Sequence, residues 1–138
     1  MERGDSMTER KLLKKFRDAL KEKLPSCYIY TDRDSPGRGH AGEWDTLISY
    51  VGKTIFIEGK VSNNVAFSVV NPLVLLTPHQ VKGRKKILES GGEYIILIFY
   101  TQMGDTVEVC GPKREMMNLE KSVQFITSKL LKGVRSDF

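Results

Sequence analysis

The chain has 138 residues, 40% hydrophobic and 28% charged, with 22 Lys and Arg against 17 Asp and Glu. That length fits one domain, 1–138, because two would each be too small to bury a stable core. The longest apolar run, Tyr94 to Tyr100, is too short to cross a bilayer, and the charged stretch Met1 to Ser6 is unlike a secretory signal, so no membrane association and an intracellular, cytoplasmic location are expected. Cys27 and Cys110 form no CxxC pair and read as core residues, while the net charge of +5 suits a polyanionic partner.

A first helix is expected to begin at Ser6, where Ser6 and Glu9 make an S-x-x-E capping box, and to run to about Lys23 before Pro25. Its apolar stripe is Leu12, Leu13, Phe16, Ala19 and Leu20. Counting back a turn puts Glu9 on that stripe, an unusual place for a glutamate. Residues Cys27 to Tyr30 suit a short strand, and Thr31 to Glu43 a polar loop rich in glycine.

From Asp45 to Val61 the pattern is a hairpin, with Gly52-Lys53 as a type II′ turn. Val65 to Leu76 is apolar but broken by Asn71-Pro72, as an irregular strand or two short pieces would be. Thr77-Pro78-His79-Gln80 opens a second helix: Thr is the N-cap, Pro the first helical residue, Gln the third after the cap, and Gly91-Gly92 the end. Tyr94 to Tyr100 then reads as a strand covered on both faces, and Thr106 to Cys110 as a shorter one. Asn118 caps a last helix to about Lys132, with Leu119, Val123, Ile126 and Leu130 inward.

The chemistry concentrates in the hairpin. With Gly52-Lys53 as the turn, Val51 faces Thr54, Ser49 faces Phe56, Leu47 faces Glu58 and Asp45 faces Lys60, all on one side. Asp45 then lies diagonal to Glu58, about 7–8 Å away along the sheet, a span that one cation can bridge. Hard oxygen ligands favour Mg²⁺ or Mn²⁺, and Lys60 would orient a water or neutralise charge on a phosphoryl group. Gly59 would let its own carbonyl approach the ion. The same residues also fit a cross-strand ion pair with Glu58 facing solvent, but charges within the apolar strand Thr54-Ile-Phe-Ile are costly to shelter unless paired or bound to metal.

This order of features resembles the PD-(D/E)XK nuclease superfamily, and within it the small Holliday-junction resolvases and virus-type replication-repair nucleases. The match runs from about Thr8 to Tyr100: a helix carrying Glu9, a loop ending Gly42-Glu43-Trp44-Asp45, a hairpin to Glu58-Gly59-Lys60, and Leu76-Thr77-Pro78-His79-Gln80 opening a helix that leads into an apolar strand. Trp44 departs from the pattern, in which proline usually precedes the aspartate. The resemblance implies an α/β fold with a restriction-endonuclease-like α-β-β-β-α-β core, a mixed central sheet flanked by helices. It implies Asp45 and Glu58 as metal ligands, Lys60 as the catalytic lysine, Gln80 as an active-site glutamine and Glu9 as an auxiliary acid. For Gln80 the capping box is itself a sufficient structural reason. His40 and His79 read as polar surface residues.

Two basic segments flank the site: Arg33 and Arg38 in the loop, and Lys82, Arg84, Lys85 and Lys86 on the second helix. The four helix residues cannot share one direction at 100° per residue, so a subset is expected to touch DNA phosphates. The resulting expectation is a Mg²⁺- or Mn²⁺-dependent endonuclease on branched or junction DNA, a homodimer of a kind that viruses and phages also encode. Alternatives are a nucleic-acid-binding module that keeps the fold without the activity, and a nuclease of the same fold on other DNA or RNA substrates.

Overall fold

Alternating apolar strands and amphipathic helices resolve, in a computed structural model, into a mixed six-stranded sheet with helices on both faces. The structure describes residues 2–31, 46–62 and 71–132, with only the backbone for 2–8. In chain order the elements are α1 (Glu2–Lys23), β1 (Tyr28–Thr31), β2 (Thr46–Tyr50), β3 (Lys53–Ser62), a 3₁₀ turn (Pro72–Leu75), α2 (Pro78–Glu89), β4 (Glu93–Tyr100), β5 (Thr106–Cys110), β6 (Arg114–Met117) and α3 (Leu119–Leu131). The strands lie side by side in that order. All neighbours are antiparallel except β3 and β4, which run parallel because α2 carries the chain back between them. No helix among the described residues is long and apolar enough to cross a membrane.

Side chains alternate across the sheet, and each face has its own apolar layer. Ile48, Ile55, Ile57, Ile95, Leu97 and Val109 pack under Leu13, Phe16 and Leu20 of α1 and Val123, Ile126 and Leu130 of α3. Tyr94, Ile96, Ile98 and Tyr100 lie on the opposite face, with Leu76, Leu73, Leu75 and Ile87 from the 3₁₀ turn and α2. The residues from Tyr94 to Tyr100 are all buried, as expected of a strand covered on both sides.

Three expectations are corrected. Helix α1 starts at Glu2, so Ser6 lies inside it and a Ser6–Glu9 box does not begin the helix. Second, Asn71 to Leu76 carries a 3₁₀ turn rather than a strand: Asn71 Oδ1 accepts from Leu73 N–H, and Pro72 pre-sets the first φ. Residues 63–70 of that apolar stretch lie outside the described residues.

The third correction is the hairpin register. Tyr50 pairs with Lys53, Ser49 with Thr54, Ile48 with Ile55, Leu47 with Phe56 and Thr46 with Ile57. The turn is therefore Val51-Gly52, both at positive φ (47° and 80°) as in a type I′ turn, and the expected pairs Leu47–Glu58 and Ser49–Phe56 do not form. The shift of two keeps every side chain on its face, so burial does not decide it. Like-with-like pairing does: Leu47 meets Phe56 rather than a carboxylate, and the Thr54 hydroxyl lies 3.4 Å from that of Ser49. Those pairs outweigh the cost of a β-branched residue at positive φ.

Candidate active site

Strand β3 carries Glu58 and Lys60 two residues apart, so both side chains project to the α2 face while Gly59 between them turns toward α1. A Cβ on Gly59 would meet Cδ1 and Cγ of Leu13 at 2.7 Å, so the glycine is required for α1 to lie directly on β3. Helix packing thus accounts for the small residue in Glu-Gly-Lys without any ligand.

Glu58 is only 3% exposed. Its Oε2 accepts a hydrogen bond from Gln80 Nε2 at 2.8 Å and faces Lys60 Nζ at 3.6 Å. A carboxylate this buried requires such partners, because desolvation alone strongly disfavours its charged form. Gln80 sits in the first turn of α2, where the helix dipole also favours a nearby anion. The side chains that the sequence singled out from two segments, 22 residues apart, therefore meet on one sheet face.

Gln80 does two things at once. Its Oε1 accepts from Thr77 N–H at 2.9 Å, while its own N–H donates to Thr77 Oγ1 at 3.2 Å, completing the expected capping box. Its Nε2 remains directed at Glu58. The capping bond to Thr77 and the bond to Glu58 are thus made by opposite ends of one amide.

Glu9 is half-buried on α1, one turn before Leu13, on the sheet face opposite Glu58 and Lys60. Asp45, Arg33 and Arg38, together with His40, lie outside the described residues. Asp45 directly precedes Thr46 in the chain, and Thr46 pairs with Ile57, the residue before Glu58. Among the described residues no three His, Cys, Asp or Glu side chains group as a metal site. The basic residues of α2 divide: Lys82, Lys85 and Lys86 are exposed on the helix side away from Gln80, whereas half-buried Arg84 follows Gln80 by about 40° around the axis. His79 is exposed.

A second polar group on the same face was not anticipated. Glu108 is buried, with Oε1 accepting from Tyr100 Oη at 2.7 Å and Oε2 from Arg114 Nε at 2.6 Å. Burial and then the Glu108 bond push the Tyr100 hydroxyl well above its ordinary pKa, which keeps it a donor. Burial, followed by the Glu108 charge, pushes the Cys110 thiol up to about 12. The signal was present: Glu108 in Thr-Val-Glu-Val-Cys is a charge in an apolar strand, the argument applied to Glu58. Its partner Arg114 stood on β6, a strand the sequence did not reveal. Compared with known proteins, the chain matches no family model and no characterised protein.

Proposed function

We propose that the chain is a divalent-metal-dependent endonuclease hydrolysing DNA phosphodiester bonds, with branched or junction DNA as its substrate. The observation that carries this reading is the convergence of buried Glu58 with Lys60 and Gln80 on one sheet face. A buried carboxylate beside an ammonium is the arrangement expected where a negative phosphoryl group is to be handled in a sheltered place.

Glu58 and Asp45 would hold the metal, with the Gly59 carbonyl as a further oxygen, whereas Glu9, on the α1 face of the sheet, is left out of this ligand set. The donor chemistry fits: carboxylates and a backbone carbonyl are hard oxygens, as Mg²⁺ or Mn²⁺ prefers. The metal supplies Lewis-acid polarisation of the phosphoryl group and a more acidic water. The chain's own residues do the rest. Gln80 fixes the orientation of Glu58, and Lys60, 16% exposed, offers a positive charge at the site's mouth that orients the attacking water and offsets charge on the phosphoryl oxygens. Arg84 lies on the Gln80 side of α2 and is assigned to the phosphates nearest the site, with Arg33 and Arg38 from the preceding loop; Lys82, Lys85 and Lys86 serve DNA reaching the outer side of the helix.

The test is cleavage of four-way junctions, flaps and linear duplex in Mg²⁺. Wild type cuts one or more of them, and Glu58→Ala and Lys60→Ala lose cutting by a factor of 100 or more while keeping salt-dependent DNA binding. Salt-dependent binding without a metal-dependent product would replace the nuclease by a binding module, and cutting of RNA alone would keep the chemistry but change the substrate.

A further inference from the structure

The hydrogen bonds around Gln80 form a directed chain, and its origin is a backbone group. Thr77 N–H can only donate, so the Gln80 atom it meets at 2.9 Å must be the carbonyl oxygen. The amide's NH₂ end is then the one 2.8 Å from Glu58 Oε2. Turning the amide over would set NH₂ against N–H at one end and oxygen against carboxylate at the other. The helix cap thereby selects the same orientation that the Glu58 carboxylate requires.

Thr77 is well placed for this. Leu76 before it is buried beside Tyr94 and Ile96, and Leu76 N–H closes the 3₁₀ turn on Leu73 O at 3.1 Å. Pro78 follows and restricts the conformation of Thr77. The Thr77 N–H therefore reaches Gln80 from a fixed point.

We propose that Thr77 is a positioning residue, whose backbone N–H acts through Gln80 to hold the Glu58 carboxylate in register. The consequence for metal affinity rests on the reading of Glu58 as a ligand, whereas the orientation of Gln80 does not. Losing a group that orients a metal ligand weakens metal binding roughly 10- to 100-fold.

The backbone at Thr77, φ −72° and ψ 165°, lies in the range proline adopts, and Leu76 at φ −88°, ψ 145° suits a residue before proline. Thr77→Pro thus deletes the N–H with little backbone change, Thr77→Ala deletes the hydroxyl alone, and Thr77→Ser retains both groups. For each full-length variant, the Gln80 side-chain NH₂ signals in ¹⁵N NMR, the Mn²⁺ dissociation constant and the melting temperature are measured. The expected result is that Ser and Ala keep the wild-type Gln80 signals and Mn²⁺ affinity within about threefold. In Thr77→Pro those signals move toward the ones of exposed Gln102 and Gln124, and Mn²⁺ binds about 10-fold or more weakly. Wild-type Gln80 signals in Thr77→Pro overturn the proposal. So does a loss of affinity that merely follows the melting temperature through all three variants. If Glu58→Ala leaves Mn²⁺ affinity unchanged, the ligand reading fails, while the Gln80 signals still decide whether Thr77 orients the amide.

Discussion

Replacing Gly59 by alanine places a methyl group 2.7 Å from both Cγ and Cδ1 of Leu13 and 2.9 Å from Cδ2. Carbon atoms prefer about 3.5–4.0 Å, so the overlap is roughly an ångström against three atoms at once. Leu13 is fully buried among Phe16, Ile57 and their neighbours, and the branching carbon itself is in the way, so a rotamer change does not relieve the clash. Relief therefore requires α1 to lift from β3. Overpacking of this kind costs about 1–3 kcal/mol; at about 2 kcal/mol the melting temperature of a domain this size falls by roughly 6–10 °C. Leu13→Ala alone costs about 2–5 kcal/mol through the cavity it leaves. In the double variant the new methyl group enters that cavity, so the combined loss falls short of the sum of the single losses by at least about 1 kcal/mol. Urea unfolding of wild type and the three variants gives the comparison. An alanine at 59 that costs nothing, or losses that simply add, would show that the glycine is not there for helix packing.

Val51→Asn converts the Val51-Gly52 turn at φ 47° and 80° into Asn-Gly, the preferred type I′ pair, and should raise stability by about 1 kcal/mol in urea unfolding; an unchanged midpoint would deny that Val51 is strained. Thr46 Oγ1 is fully buried without a hydrogen bond among the described residues, so Thr46→Val, of nearly the same shape, should stabilise by about 1 kcal/mol, and a destabilised variant would mean the hydroxyl has a partner. Burial alone would raise the Glu93 pKa, but the bond and charge of Lys129, then those of Lys53, outweigh it and hold the carboxyl below its ordinary value. Because the folded pKa lies below the unfolded one, this stabilisation is present above about pH 4.5 and is lost as pH falls through the folded value. Glu93→Gln should therefore be less stable than wild type at pH 7, with the gap narrowing toward pH 3; a gap of constant size would refute the linkage.

Features written in adjacent residues were legible in the sequence. The Thr77 to Gln80 box, the stripes of α1 and α3 and the Asn118 cap, whose Oδ1 accepts from Lys121 N–H, each rest on interactions within one or two helical turns. The mixed sheet flanked by helices follows from the order of those elements. What escaped depends on a competition between alternatives. Gly52-Lys53 and Val51-Gly52 are both plausible turns, and only the summed cross-strand pairs separate them. Strand β6 is short and half polar, with Arg114 and Glu115 exposed, so it carries no alternation to find. Of the candidate site, the contact of Glu58 with Gln80 was foreseeable as a shared role but not as a bond, because it needs the parallel docking of β3 on β4 beneath α2.

That parallel docking also governs when the site comes into being. Ile55 pairs with Glu93 and Ser62 with Tyr100, each 38 positions apart, whereas the β2–β3 hairpin and the α2 cap close over a few residues. Short closures are fast, and long ones must meet their entropy cost before contacts reward it. Glu58 thus begins on one early-forming piece and Gln80 on another. The two become a site only as the crossover closes, so a chain that has not completed its central sheet has no joined pair of these side chains to offer a ligand.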